Sequence, residues 1–311
     1  MEITSVKIRK FEREGSRMKG FASVVVDNAI ATAEEFKAFR NKINAGEKFS
    51  DKTAYLVADI DLNGEEWIPI GTKNNHFHGT FDGQGHTISN FKITQKHDGD
   101  NAQAALFGTV SLTTVFKNFN IDNIQVLYPA DYNGDYYGAA VIGTFYGKVT
   151  LQNINVTKST IQGNNKVAGL IAHDGSSSKV LIENCNVNGC TIETKNEEDG
   201  GNVGGLVGLF QNTEATVKNC SVTGCTINAI NSSDSGKRGN ALLVGGTIDS
   251  GTPDLYVKIE NCKVADNTFN ETGRVNYVSP YGDGTLVGGA REGSSYVIGK
   301  VEIDGVVYPN N

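Results

Sequence analysis

Three residues four positions apart, His78, Asp82 and His86, are the first place where this 311-residue chain could do chemistry. Two imidazoles and a carboxylate can supply a general base for catalysis. That use requires the side chains to converge. A spacing of four converges on a helix, whereas Phe77-His78-Gly79-Thr80-Phe81-Asp82-Gly83-Gln84-Gly85-His86-Thr87-Ile88 is a glycine-rich strand and turn, where sidedness alternates. The stretch therefore reads as turn chemistry. The Asp82 carboxylate accepts backbone amides, and the glycines take positive φ.

The five cysteines offer a second candidate. Cys185 and Cys190 are five apart, as are Cys220 and Cys225, but no histidine repeats beside them and the count is odd. Buried free thiols are expected, without disulfides or metal. Asp131-Tyr132-Asn133-Gly134-Asp135 has the composition of a calcium loop, yet its glycine is misplaced and no bidentate Glu follows. The same stretch is rich in tyrosine: Tyr128, Tyr132, Tyr136, Tyr137 and Tyr146 are five of the eleven in the chain. Tyrosine rings stack on sugars and anchor interfaces, and interspersed Asp and Asn bond hydroxyls. The expected binding residues are Tyr128, Asp131, Tyr132, Asp135, Tyr136 and Tyr137, with Tyr256, Tyr277 and Tyr281 as a second cluster. No catalytic residue, metal site or cofactor is called for.

The elements that would hold these residues repeat. Val203-Gly204-Gly205-Leu206-Val207-Gly208 is followed by a polar loop, then by Val217-Lys218-Asn219-Cys220-Ser221-Val222-Thr223-Gly224-Cys225-Thr226-Ile227. The same order recurs from Ala104, Ala139, Ala168 and Leu242, and Thr285-Leu286-Val287-Gly288-Gly289 opens a degraded copy. Asn118, Asn153, Asn184, Asn219 and Asn261 mark the register, at successive spacings of 35, 31, 35 and 42. A period of this size with short strands and no helical pattern means a β-solenoid. Stacking at about 4.8 Å per coil makes Phe119, Ile154, Cys185, Cys220 and Cys262 an interior column. The asparagines are expected to face inward as a structural ladder, passing amide hydrogen bonds between coils. The residues just before and after the ladder hold no stack of carboxylates, as a lyase or hydrolase on this fold would need. Acidic residues gather in loops instead, at Asp98 and Asp100, Asp131 and Asp135, and from Glu197 to Asp199.

The strand from Tyr55 to Leu62, the motif from Phe77 to Ile88 and the Gly-Leu-Val-Gly units together resemble GLUG-repeat β-helix surface proteins of gut bacteria, over about residues 32–290. The resemblance implies a right-handed parallel β-helix displayed outside the cell for adhesion or binding, with no catalytic constellation to carry over. Members normally have a secretion leader. None is visible here, so a virion fibre is the alternative setting to a bacterial surface.

Before the repeats, Met1-Glu2-Ile3-Thr4-Ser5-Val6-Lys7-Ile8-Arg9-Lys10 and Met18-Lys19-Gly20-Phe21-Ala22-Ser23-Val24-Val25-Val26-Asp27 flank a Gly15-Ser16 turn. They resemble the opening hairpin of the stage V sporulation protein G family of nucleic-acid-binding regulators. The later elements of that family have no counterpart here, so nucleic-acid binding is not implied. The hairpin either caps the solenoid or serves self-association and docking through residues 1–30. Thr32 and Glu35 form a capping box for a short helix that puts Phe36, Phe39 and Ile43 on one face and ends at Gly46.

The sequence thus divides into a hairpin over 1–31, a capping α-helix over 32–47 and a parallel β-helix over 48–311. The β-helix closes on a hairpin around Asp304-Gly305, making the chain an all-β solenoid. A net charge of −7 argues against nucleic acid as a partner, and no apolar run suits membrane insertion. The function expected is a non-catalytic binding or adhesion module for a glycan or host surface. A polysaccharide-cleaving enzyme and a structural spacer docked through the hairpin are the alternatives.

Overall fold

The computed structural model describes residues 3–10, 20–26, 28–97, 102–175, 178–195, 201–211, 213–231, 239–248, 256–273, 300–303 and 306–308. Strands β1 (Ile3–Lys10) and β2 (Gly20–Val26) pair antiparallel, Lys7 opposite Ser23. Their turn at Gly15-Ser16 lies outside the described residues.

Helix α1 (Ala33–Asn44) starts where the sequence places it. Thr32 accepts the Glu35 amide at 3.2 Å, and the Glu35 carboxylate reaches back to the Ala31 amide at 2.7 Å. Gly46, at φ 96°, ends it. Its buried face lies on aromatic rings: Phe36 stacks on Trp67 with centroids 4.8 Å apart, and Phe39 meets Phe49 edge-on at 5.3 Å. The helix is a plug on the first coil, and the Arg40 guanidinium covers the Trp67 ring at 4.9 Å.

Beyond the helix the chain winds as a parallel β-helix. Residues 102–104, 136–139, 166–168, 202–204 and 240–241 stack in one parallel sheet. Residues 92–93, 125–126, 160–163, 191–194, 226–231 and 268–273 stack in a second. The rest of each coil forms a third sheet, in which Thr150 pairs with Val115 below and Leu181 above. The first coil strand expected from Tyr55 to Leu62 is broken into Thr53–Leu56 and Ile60–Asp61. At the far end Lys300–Ile303 continues the parallel ladder and pairs antiparallel with Val306–Tyr308. The turn Asp304-Gly305 and residues 285–289 lie outside the described residues.

Each glycine cluster puts two consecutive apolar residues inside. Leu106 and Phe107, Val141 and Ile142, Leu170 and Ile171, Leu206 and Val207, and Leu243 and Val244 are all fully buried. Glycine is needed because the coils approach too closely there for a side chain. A Cβ on Gly205 would come 2.1 Å from the Leu242 carbonyl oxygen.

The ladder asparagines do not face inward. Asn118, Asn153, Asn184, Asn219 and Asn261 sit outside the corner with φ of 58°, 54°, 54°, 53° and 50°. Their role begins in the backbone: the left-handed conformation lets two successive outward positions pass before the chain re-enters the core, and Asn tolerates it best after Gly. Five residues on, a second corner repeats this at Asn123, Lys158, Gly189, Gly224 and Asp266, with φ between 49° and 61°. The side chains do link coils, but on the surface: Asn153 Nδ2 donates to Asn118 Oδ1 at 2.8 Å and Asn184 Nδ2 to Asn153 Oδ1 at 3.1 Å.

Where the inward residue after a corner carries an acceptor, it satisfies an amide the strand ladder misses. The Cys185 amide donates to Cys220 Sγ at 3.4 Å, the Cys190 amide to Cys225 Sγ at 3.4 Å, and the Cys225 amide to Asn267 Oδ1 at 2.9 Å. The equivalent Ile124 amide uses Ser159 Oγ at 3.2 Å. All five thiols are free, four of them buried and Cys262 half-buried. The hydrogen bond with Cys185, then burial, pushes the Cys220 thiol up to about 12. The bond with Cys225 and burial raise Cys190 as well.

Candidate functional site

His78, Asp82 and His86 are dispersed. His78 is buried in the strand Phe77–Asp82 and its Nδ1 has no partner; burial, then the charge of Lys48, lowers its pKa. Asp82 Oδ1 accepts the Gln84 amide at 3.0 Å and Asn118 Nδ2 at 3.1 Å, while Oδ2 meets Lys117 Nζ at 3.3 Å. His86 pairs with Asp59 at 3.1 Å. The turn differs in one respect from the expectation: Gln84 (φ 51°) and Gly85 (φ 90°) take the positive φ, and Gly83 does not. Gly83 is there for space, since a Cβ would stand 2.2 Å from that of Phe119.

The tyrosine loop is built against the next coil. Asn164 is the anchor, accepting the Tyr136 amide at 2.7 Å and donating to the Gly134 carbonyl at 2.9 Å and Tyr128 Oη at 3.2 Å. Asn165 Nδ2 donates to Asp135 Oδ1 at 2.5 Å. Tyr128, Tyr132 and Tyr136 then pack edge to face, with centroids 5.6 to 6.4 Å apart. Tyr128 Oη donates to the Tyr132 carbonyl, and Tyr132 Oη to the Asp135 carbonyl at 3.3 Å.

Two of the six expected binding residues are therefore interior. Tyr136 is fully buried in the core, its hydroxyl without a partner and held above the ordinary tyrosine range by burial and the nearby Glu66. Tyr137 is 6% exposed and lies over Ala105, Ala139 and Ala172, with Lys166 Nζ 4.5 Å above its ring. Both are too apolar at the ring to stay in water once a neighbouring coil is available to cover them. Tyr128, Tyr132 and Asp135 are half-buried, and Asp131 is exposed. Tyr132 carries the Lys96 ammonium 5.0 Å above its ring centroid. Tyr146 lies away from the loop, 41% exposed and stacked on His76 at 5.7 Å. Tyr277, Tyr281, Asp98, Asp100 and residues 197–199 lie outside the described residues.

The half-buried carboxylates of the solenoid have structural employment. Glu66 accepts the Thr94 amide and hydroxyl at 2.8 and 2.9 Å and meets His97 Nε2 at 3.0 Å. Glu183 takes Lys218 Nζ at 2.9 Å and Gln152 Nε2 at 3.0 Å, and the Lys218 bond depresses its pKa. Among the described residues no three His, Cys, Asp or Glu side chains gather as a metal site. No described helix is long and apolar enough to cross a membrane.

Sequence reasoning found the tyrosines but not what orders them. Asn164, Asn165 and Lys96 act across coils, and the variable loop lengths hide that adjacency.

The GLUG motif matches residues 199–228, the stretch whose glycine cluster and corner were described above. Halomucin of Haloquadratum walsbyi is 36% identical over 129 residues, covering 37% of this chain and 1% of halomucin, so the chain spans about a hundredth of that relative's length. A Bacteroides ovatus crystal structure, of a protein provisionally named an immunoglobulin A1 protease, aligns with a TM-score of 0.48 and 16% identity, covering 79% of this chain and 83% of that one. The sequence similarities support GLUG-repeat proteins and give no support to the sporulation-protein likeness of residues 1–30.

Proposed function

We propose that this chain is a non-catalytic β-helix module, displayed outside the cell, that binds glycan on a host or partner surface. The GLUG motif and the halomucin similarity favour a surface β-helix protein. The observation that carries the binding role is the pair Tyr128 and Tyr132. Both residues are half-buried, their rings held edge to face on buried Tyr136, with the Lys96 ammonium over Tyr132. A ring fixed in this way loses little entropy on meeting a sugar face, which is what makes tyrosine an efficient contact residue. Asp131, exposed beside them, supplies an acceptor for hydroxyls.

Incubation with a panel of host and microbial glycans tests this, with retention and new chain ends read together. Retention without cleavage is expected, weakened about tenfold in Tyr132→Ala, on the order of 1.4 kcal/mol for one stacking contact. New chain ends would replace the reading with a polysaccharide-cleaving one. Absence of retention on every glycan and host surface would overturn it in favour of a spacer docked through residues 1–30.

A further inference from the structure

We infer that the solenoid carries a second saccharide site, in the open groove along its second corner over the first three coils. It rests on the glycan-binding reading but uses none of the tyrosines. The groove has a volume of about 310 Å³ and is lined by Asn63, Gly64, Asn90, Phe91, Lys92, Asn123 and Gln125. That is the lower end of the range for small-ligand sites.

The chemistry of the lining selects the ligand. Four carboxamides line it, from Asn63, Asn90, Asn123 and Gln125, and a carboxamide both donates and accepts, as a sugar hydroxyl does. Asn123 Nδ2 donates to Asn90 Oδ1 at 2.7 Å, and Asn90 Nδ2 to Asp61 Oδ1 at 2.9 Å. These bonds fix the two asparagines and turn Asn123 Oδ1 to the end of the row. In the next coil the corner residue is Lys158, which cannot extend an amide row. The side chains of Asn63, Lys92 and Gln125 are exposed.

Other ligand classes fit poorly. The apolar member, Phe91, is 1% exposed, so a hydrophobic ligand finds nothing to cover. Lys92 is the one cationic side chain among the residues that line the groove, so there is no cluster of cations for phosphate or sulfate. An extended peptide would need free backbone groups. Here the Gly64, Asn90, Lys92, Asn123 and Gln125 amides already donate to Asn90, Asp122, Glu65, Thr157 and Phe91. What the groove offers is side-chain amides in a row along the solenoid axis. Two coil steps of about 4.8 Å make it about 10 Å long. A neutral oligosaccharide of two or three units, lying along the axis, matches that length and that chemistry.

The test is retention of the full chain on an array of neutral di- to tetrasaccharides of glucose, galactose, mannose and N-acetylglucosamine, with titration calorimetry on the strongest hit. An Asn63→Gly, Gln125→Ala double variant keeps the left-handed backbone at position 63 and removes two amides. We expect it to weaken binding at least tenfold with an unchanged thermal midpoint. Gln125→Trp, which fills the groove from an exposed position, is expected to do the same. Retention that survives both variants but falls in Tyr132→Ala would overturn the groove and leave the proposed function standing. No retention of the unaltered chain on any glycan would overturn both.

Discussion

The thiols at the inner corners are acceptors first and apolar fillers second. In the strand ladder the Cys190 amide has no carbonyl to meet, and Cys225 Sγ takes it at 3.4 Å. Removing that acceptor leaves a buried N–H unsatisfied, which costs about 1–3 kcal/mol. Cys225→Ala should therefore lower unfolding stability by that amount beyond its packing loss, while Cys225→Ser, matching Ser159 two positions away in the column, should recover most of it. Chemical denaturation of the two variants checks this. His173 supplies a second expectation. Burial, then the charge of Lys166, depresses its pKa from 6.5 to about 3, and its Nε2 has no partner. The unfolded chain binds a proton below about pH 6.5 and the folded one does not. The contribution is thus intact above pH 6.5 and lost on acidification at up to about 1.4 kcal/mol per pH unit, down to about pH 3. Denaturation of the natural chain and of His173→Gln at pH 7 and pH 5 should show a drop about 2 kcal/mol larger in the natural chain. Equal drops would mean that the imidazole is protonated in the fold.

Helix α1 was legible in detail because its signals are local. The Thr32–Glu35 box, the apolar face and Gly46 are each written within a turn or two of where they act. Phe36→Ala should cost about 3–5 kcal/mol, because the ring fills the space between Trp67 and Phe81 at the open end of the first coil. A loss under about 1 kcal/mol would show that the helix is not the plug. The coil strands were legible for the same reason, through alternation and the glycine clusters. The corner was only half legible. A repeated Asn marks it, but the spacing cannot tell an inward side chain from a left-handed backbone. The second corner holds Asn123, Lys158, Gly189, Gly224 and Asp266 in one column. What these residues share is a dihedral angle, which no residue type states.

For the molecule as a whole, the period in the asparagines was enough to give a solenoid, since one coil per repeat is the way such short strands can bury a continuous core. The binding loop was less readable. Composition identified Tyr128 to Tyr137 as unusual, but which rings stay at the surface depends on Asn164 and Asn165, about thirty positions on. Tyr136 and Tyr137 went inside because a coil above was there to cover them.

Two of the side-chain rows between coils share one sense. Asn153 donates to Asn118, which donates to Asp82, and Asn123 donates to Asn90, which donates to Asp61. A carboxylate can only accept, so the aspartate at the start of these two rows dictates the orientation of every amide after it. Polarised in one direction, each member makes the next a better acceptor. These two rows therefore have a grammatical order. In them each coil arrives bearing a donor and finds its acceptor already set by the coil before it, so the row can be read only from the amino-terminal end, the order in which a ribosome delivers it.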